Sequence, residues 1–271
     1  MRKFSFLIVL VWLVTRTTIC YAYDAAKFVV LICSYNNAQY VEANILSVVK
    51  QQYSNFRVIY VDDASTDNTY QILENVLQRT NKAHLVKVIR NEQNQGSPLP
   101  NHYNTIHNEI ADEEIVVLLD GDDCLANKYV LKKLSKIYQS KQETWLTYGQ
   151  FQGMQSKQIG WCCKYPQDII DRNAFREFVH MPSHLKTFYA WLFKKIHKED
   201  LMYEGEFYRM SGDLAIMLPM IEMARNHHRF IAQVLYLYNE SNTISDHRKN
   251  FEQQMDLARY IRSLPPYTPL D

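Results

Sequence analysis

Between residues 28 and 119 the sequence alternates short, apolar, β-branched runs with stretches whose apolar residues recur at helical spacing. No other feature restricts the fold as strongly. Buried strands are predicted at Phe28–Cys33, Phe56–Val61, Leu85–Ile89 and Ile115–Leu119, and helices between them at Val41–Gln52, Thr69–Arg79 and Asn101–Ile110. Strands that alternate with helices form a mostly parallel sheet with helices on both faces, so an α/β, Rossmann-like fold is expected. Ligands of such sheets collect beyond the carboxyl ends of the strands.

The pattern is looser in the second half of the chain. Helices are predicted at Lys128–Ser140, His184–Phe193 and Leu214–Ala224, and strands at Trp145–Gln150 and Phe230–Tyr238. Pro219 is expected to kink the helix that contains it. His227 and His228 are predicted to lie at an exposed helix end. The seam between the two halves is expected near residue 125.

The N-terminus resembles an export signal. Arg2 and Lys3 precede an apolar run, and small or polar residues follow as far as Ala22. Residues 1–22 are therefore interpreted as a signal peptide or signal anchor. The protein is expected to be exported or membrane-anchored, and cytoplasmic-facing, lumenal and periplasmic locations are all left open. The apolar content of 47% supports a large core, and the net charge of +1 indicates no nucleic-acid-binding surface.

Polar clusters follow three of the predicted strands, at the edge where a ligand would bind. They are Ser34–Asn37, Asp62–Ser65 and Asp120–Asp123. Three carboxylates at one strand end repel each other and need a cation. Mg²⁺ typically combines one or two carboxylates with phosphate oxygens, so the last cluster predicts a metal–diphosphate site. A solvated acidic turn is the alternative. Ser65 or Asp67 is predicted to cap the following helix.

Two of these segments, VDDASTDNT and LLDGDDCL, occur after a SYNN turn in the order found in glycosyltransferase family 2. The chain resembles this family well over residues 27–130 and more thinly to about residue 250. The resemblance implies the inverting GT-A fold, with a donor-binding N-terminal half and an acceptor-binding C-terminal half. It divides the chain into the signal or anchor (1–22), a GT-A glycosyltransferase domain (23–250), and a C-terminal helix with an irregular tail (251–271).

The resemblance also implies roles for individual residues. Asp63 would contact the nucleobase, Asp122 would lie near the ribose or the metal, and Asp123 would bind Mn²⁺ or Mg²⁺. The remaining positions expected to line the nucleotide-sugar site are Ser34, Tyr35, Asn36, Asp62, Gly96, Asn101 and Asp120. An aspartate at the base position favours a UDP-sugar donor, although some members of the family use guanosine or thymidine diphosphates. Pro100 stands where family members often carry an arginine, which removes one candidate diphosphate contact.

A general base must come from the second half of the chain. Asp213 resembles the aspartate that begins a helix in this region of the family, and it is the predicted base. An ordinary helix cap is the competing role for this residue. Glu204 and Glu206 are alternative bases, and Glu222 is a weaker one. His247 is a candidate metal or diphosphate ligand, and His184 could line the acceptor side.

These observations predict an enzyme that moves a sugar from a nucleoside-diphosphate sugar to a hydroxyl of a glycan, lipid or protein. The N-terminus is a candidate for membrane association. Two alternatives remain open. A catalytically degenerate family member could bind nucleotide or glycan without turnover, and a nucleotidyltransferase would also use metal-binding aspartates on an α/β sheet.

Overall fold

The computed structural model describes residues 26–178, 182–242 and 251–270. Residues 1–22 and His247, which carry the signal and metal-ligand predictions, lie outside these ranges. In chain order the described elements are β1 (Phe28–Ser34), α1 (Val41–Val49), β2 (Phe56–Asp62), α2 (Thr69–Thr80), β3 (Val86–Arg90), α3 (Pro98–Glu109), β4 (Ile115–Asp120), β5 (Cys124–Leu125), α4 (Val130–Tyr138), β6 (Leu146–Gly153), α5 (Gln167–Asp171), β7 (Thr187–Tyr189), α6 (Ala190–Phe193), β8 (Met202–Tyr203), β9 (Glu206–Phe207), α7 (Gly212–Ala224), β10 (His228–Tyr238) and α8 (Phe251–Ser263).

One large sheet organises the molecule. Its eight strands run in the order β3-β2-β1-β4-β7-β6-β10-β5. The first four are parallel, β7 is antiparallel to both of its neighbours, and β6 and β10 are again parallel to each other. The predicted mostly parallel α/β fold is therefore confirmed. All seven residues of β1 are buried because both faces of the sheet are covered, which explains the uninterrupted apolar run.

The two faces of the sheet carry separate cores. Val29 and Leu31 of β1 pack in one core, together with most of α7. Val30 and Ile32 point to the other face and pack with α1, α2 and α4. Alternate side chains of a strand point to opposite faces, so a single strand contributes to both cores.

The predicted helix at His184–Phe193 is wrong over its first half. Thr187–Tyr189 forms β7, the strand that joins β4 to β6, and only Ala190–Phe193 is helical. Three residues are too few to show a strand period, and the surrounding apolar residues resemble a helix face. The prediction for His228 is also wrong, since this residue is buried at the start of β10. Helix α7 continues through Pro219.

Two buried carboxylates stabilise the fold away from the strand ends. Glu114 lies just before β4 and accepts hydrogen bonds from Arg57 and from the Ala111 N–H. Glu222 of α7 accepts two hydrogen bonds from Arg176. This pairing removes Glu222 from the candidate bases, because its carboxylate is fully buried in an ion pair. None of the helices in the described ranges has the length and hydropathy that a membrane crossing requires.

Candidate functional site

The acidic turn that follows β4 is held by backbone contacts from two directions. Asn44, buried in α1, donates from Nδ2 to the carbonyl oxygens of Asp120 and Asp123, each at 2.8 Å. Gly121 donates its N–H to the carbonyl of Cys33 at the end of β1. A Cβ on Gly121 would lie 2.6 Å from the Ser34 side chain. The turn is thus packed directly against the neighbouring strand end, and glycine is required for that approach.

Asp123 is the most buried of the three aspartates in this turn, with 1% of its surface exposed. Its Oδ2 accepts a 2.5 Å hydrogen bond from the Tyr236 hydroxyl, and its Oδ1 accepts one of 2.6 Å from the Asn239 N–H. Burial and the neighbouring Asp122 and Asp120 raise its pKa well above the usual range. Asp123 therefore fastens the turn to the end of β10.

Asp120 and Asp122 are more accessible than Asp123. Asp122 accepts a 2.7 Å hydrogen bond from the Asn242 amide on Oδ2. Burial raises the pKa of Asp122 to about 6, and the charge of Asp120 adds to this effect. The Asp120 carboxylate lies 3.2 Å from the Tyr236 hydroxyl. These two carboxylates carry the charge that a cation would neutralise.

The end of β2 supplies the second aspartate pair, and its members have different surroundings. Asp62 is fully buried and pairs with Arg90, with Nε and Oδ2 3.1 Å apart. The Asp63 carboxylate accepts hydrogen bonds from the Asn91 amide and from the Gln95 N–H. Asp62 thus connects strands, whereas Asp63 is tied to the loop between β3 and α3.

The SYNN turn after β1 joins these two clusters. Asn37 donates from Nδ2 to the Ser34 hydroxyl, and the Asn36 N–H donates to Ser65. Asn36 adopts a left-handed backbone with φ of 50°. Tyr35 is among the exposed large side chains. The turn therefore presents one aromatic ring to solvent beside the aspartates.

The loop before α3 lies against Asp63. Asn101 accepts a 2.8 Å hydrogen bond from Asn91, and its own buried Nδ2 has no partner among the described residues. Gly96 takes a left-handed φ of 79° and donates its N–H to the Asn94 side chain. Pro100 is buried in the first turn of α3, and its ring offers no cationic group to a diphosphate. Asn101 and Asp63 thus belong to one polar network.

Asp213 lies near the start of α7, with 41% of its side chain exposed. Lys186, just before β7, donates to Asp213 Oδ2 at 2.7 Å and lies 3.3 Å from His184 Nδ1. Burial acts to raise the pKa of Asp213, but Lys186 and His184 outweigh it and hold that pKa at about 2. Burial lowers the pKa of His102 in α3 to about 4, and the charge of Asp213 partly opposes this shift. Glu204 and Glu206 are exposed on the β8–β9 hairpin.

The donor set fits a cation that brings its own phosphate ligands. No three acidic, histidine or cysteine side chains converge on one point within residues 26–178, 182–242 and 251–270. Asp120 and Asp122 nevertheless supply hard oxygen ligands at the strand edge where a diphosphate would bind. Mg²⁺ and Mn²⁺ are commonly held in this way, by one or two carboxylates together with substrate phosphates.

Four residues that organise the site were not predicted from the sequence. They are Asn44, Lys186, Tyr236 and Asn239. Each acts across a long stretch of chain, since Tyr236 and Asn239 lie 113 and 116 residues from Asp123. No local motif marks such residues, and only the alternation of tyrosines in β10 could have drawn attention to one of them.

The parallel β1–β4 sheet, with aspartates following β2 and β4, and the mixed second half define the GT-A fold. Two solved structures share it. TarS 1-349 of Staphylococcus aureus in complex with UDP-GlcNAc has a TM-score of 0.63 and 22% identity, over 87% of this chain and 65% of that one. The mannosyltransferase PcManGT of Pyrobaculum calidifontis, in complex with GDP-Man and Mn²⁺, has a TM-score of 0.61 and 17% identity, over 90% of this chain and 66% of that one.

Residues 29–155 match the family model of Glycosyl transferase family 2, so this part of the chain is similar to that family. An uncharacterized glycosyltransferase of Haemophilus influenzae is 33% identical over 106 residues, which span 39% of this chain and 40% of that protein. The poly(ribitol-phosphate) β-N-acetylglucosaminyltransferase TarS of S. aureus is 35% identical over 39% of this chain and 18% of its own length. The matches thus span well under half of these relatives.

Proposed function

We propose that this protein transfers a sugar from a nucleoside-diphosphate sugar to an acceptor hydroxyl with inversion, in a reaction that depends on a divalent cation. The observation that carries this proposal is a set of contacts between the two carboxylate groups. Lys186 donates to Asp213 and lies 3.3 Å from His184. His184 stacks on Tyr236, whose hydroxyl lies 3.2 Å from the Asp120 carboxylate. A carboxylate of the acidic turn and a carboxylate of the second half thus share one region. The names of the relatives and the solved complexes with UDP-GlcNAc and GDP-Man support the same chemistry.

In this proposal the donor is bound at the carboxyl ends of β1, β2 and β4. Asp63 accepts a hydrogen bond from the base, and Tyr35 covers the base or ribose. Asp120 and Asp122 would hold Mn²⁺ or Mg²⁺, and the cation would neutralise charge on the diphosphate. We take Asp122 rather than Asp123 as the principal ligand, because Asp122 is partly exposed whereas Asp123 is only 1% exposed.

Asp213 is the proposed general base. Its low pKa keeps the carboxylate ionised at neutral pH. Within the described part of the chain no hydrogen bond reaches Asp213 Oδ1, since Lys186 occupies Oδ2. Oδ1 can therefore accept the proton of the acceptor hydroxyl as that oxygen attacks the anomeric carbon. A bound divalent cation would offset the charge that develops on the leaving diphosphate.

UDP is the nucleotide we propose first, because an aspartate stands at the base position and one solved neighbour holds UDP-GlcNAc. A GDP donor is the nearest alternative, since another neighbour holds GDP-Man. The acceptor is proposed to be a hydroxyl of a glycan, lipid or protein. We also propose that residues 1–22 direct export or membrane attachment. Sequencing the N-terminus of the protein purified from its native membranes and secretions tests this.

Titration calorimetry of the full chain with UDP and with GDP, each with and without Mn²⁺, tests the donor site. We expect cation-dependent binding of one nucleotide. In Asp122→Asn, addition of Mn²⁺ should no longer strengthen nucleotide binding. Asp112→Asn, which alters a surface aspartate paired with Lys194, is the control and should bind as wild type does.

Asp213→Asn tests the second half of the proposal. It should keep donor binding and lose turnover of the bound sugar nucleotide by a factor of about 10²–10⁴, the usual contribution of a general base. A folded protein that binds no nucleoside diphosphate would refute the transferase function. Tight binding without turnover of any donor would instead identify a binding protein.

A further inference from the structure

Lys186 occupies an unusual position for a lysine. Its side chain is 3% exposed, and its carbonyl oxygen accepts the N–H of Leu118, two residues before Asp120. The residue therefore lies beside the carboxyl end of β4. A lysine that is this buried remains charged only if its ammonium is paired and hydrogen-bonded.

The ammonium group of Lys186 has two neighbours. It donates to Asp213 Oδ2 at 2.7 Å and lies 3.3 Å from His184 Nδ1. Burial and the charge of Lys186 lower the pKa of His184 to about 4, so its ring is neutral near pH 7. Because lysine can only donate, Nδ1 of His184 is the acceptor and its proton resides on Nε2.

His184 extends this contact to the acidic turn. Its ring stacks on the ring of Tyr236, with the centroids 4.4 Å apart and the planes 20° apart. The hydroxyl of Tyr236 in turn donates to Asp123. A continuous series of contacts thus joins Asp213 to the turn that would hold the diphosphate.

We propose that Lys186 is a positioning residue that holds Asp213 by Oδ2, leaves Oδ1 free for the acceptor hydroxyl, and fixes this carboxylate relative to the acidic turn through His184 and Tyr236. This proposal rests on the transfer reaction proposed above. Lys186 and Asp213 differ in burial, as expected if a fixed lysine holds an accessible carboxylate in place. The lysine is almost fully buried, whereas 41% of the Asp213 side chain is exposed and so can be reached by an acceptor.

The test compares three variants with wild type. Lys186→Met removes the charge with little change in length, and Lys186→Arg keeps it. Lys194→Met is the matched control, because Lys194 also pairs with an aspartate, Asp112, at 2.7 Å but near the amino end of β4. Each protein is assayed for UDP binding with Mn²⁺ and for hydrolysis of UDP-GlcNAc, for which water is the acceptor. The Asp213 carboxyl is titrated by ¹³C NMR after aspartate labelling, and Asp213→Asn assigns the signal.

In Lys186→Met we expect the pKa of Asp213 to rise by about 1–3 units, since a cation at this distance depresses a carboxyl pKa by that amount. Hydrolysis kcat should fall about 10–100-fold, as expected when a reacting group is misplaced. The acid limb of the kcat profile should move to higher pH, and affinity for UDP should stay unchanged. Lys186→Arg should restore the low pKa, and Lys194→Met should behave as wild type.

An unchanged titration of Asp213 in Lys186→Met, or an unchanged kcat and acid limb, would overturn the positioning role. A merely structural lysine would lower stability without moving the acid limb, and that result would also count against the proposal. If wild type binds no nucleoside diphosphate, the transfer function fails. The NMR titration still decides, independently of turnover, whether Lys186 controls Asp213.

Discussion

Glu114 offers a quantitative test of how the amino end of the sheet is held together. Its side chain is 2% exposed and lies within 3.1 Å of Lys27 and 2.7 Å of Arg57. Burial acts to raise the pKa of Glu114, but hydrogen bonds from Arg57, the Ala111 N–H and Lys27 outweigh it and hold that pKa at about 2. A glutamate in an unfolded chain titrates near 4.3. The folded state therefore stabilises the ionised Glu114 carboxylate more than the unfolded state does.

This difference converts into a stability that depends on pH. A depressed folded-state pKa contributes stability that is fully present above the unfolded pKa and is lost as the pH falls through the folded value. For Glu114 the contribution is about 3 kcal/mol at neutral pH and about half of that at pH 3. Glu114→Gln removes the charge and keeps the shape, so the variant should be less stable than wild type by these amounts.

Urea unfolding of the two proteins between pH 7 and pH 3 measures the difference in unfolding free energy. Glu113→Gln is the control, because Glu113 is the exposed neighbour and its loss should change little at any pH. A Glu114→Gln deficit that stays constant from pH 7 to pH 3 would refute the linkage argument. A deficit below about 1 kcal/mol at pH 7 would show that the ion pair is no better than an exposed one.

Three further perturbations probe the strand-end site. Gly121→Ala places a Cβ 2.6 Å from the Ser34 side chain and should lower the unfolding free energy by about 1–3 kcal/mol, so unchanged stability in urea would contradict the close packing. Tyr236→Phe removes the hydroxyl that donates to buried Asp123 and should cost about 1–3 kcal/mol in the same assay. Since burial raises the pKa of Asp122 to about 6 and a cation needs the ionised carboxylate, UDP affinity with Mn²⁺ should decline below that pH. Calorimetry from pH 7.5 to pH 5 measures this decline, and an affinity that is independent of pH would count against Asp122 as a ligand.

The first half of the fold could be predicted because its signals are local. The strands β1, β2 and β4 are buried on both faces, so they appear as uninterrupted apolar runs, and their helices show a regular apolar spacing. β7 could not be predicted in this way. Its three residues pair with β4 and β6, which are separated from it in the sequence, and the pairing rather than the local pattern makes it a strand.

In the candidate site, too, the residues marked by local sequence signals could be predicted, whereas those that act through long-range contacts could not. Asp63, Asp120 and Asp122 follow strands directly, and the topology of a parallel sheet places such residues together. The residues that hold them, such as Tyr236 and Lys186, come from distant segments and carry no motif. Asp123 is also more buried than Asp120 and Asp122, and the sequence of the acidic turn alone does not reveal this difference.

The hydrogen bonds that Tyr236 and Asn239 make to Asp123 determine when, during synthesis of the chain, the site can be completed. Residues 29–155, the part that matches the family model, contain every aspartate of the donor region. Tyr236 and Asn239, which hold the acidic turn, emerge from the ribosome some eighty residues later. A nascent or truncated chain ending at residue 155 would lack β7 and β10 and would leave one edge of β4 unpaired. A chain that ends at residue 155 should therefore bind the nucleotide poorly, because its acidic turn is not yet held in place. Nucleotide binding should not stabilise the earliest folding intermediates.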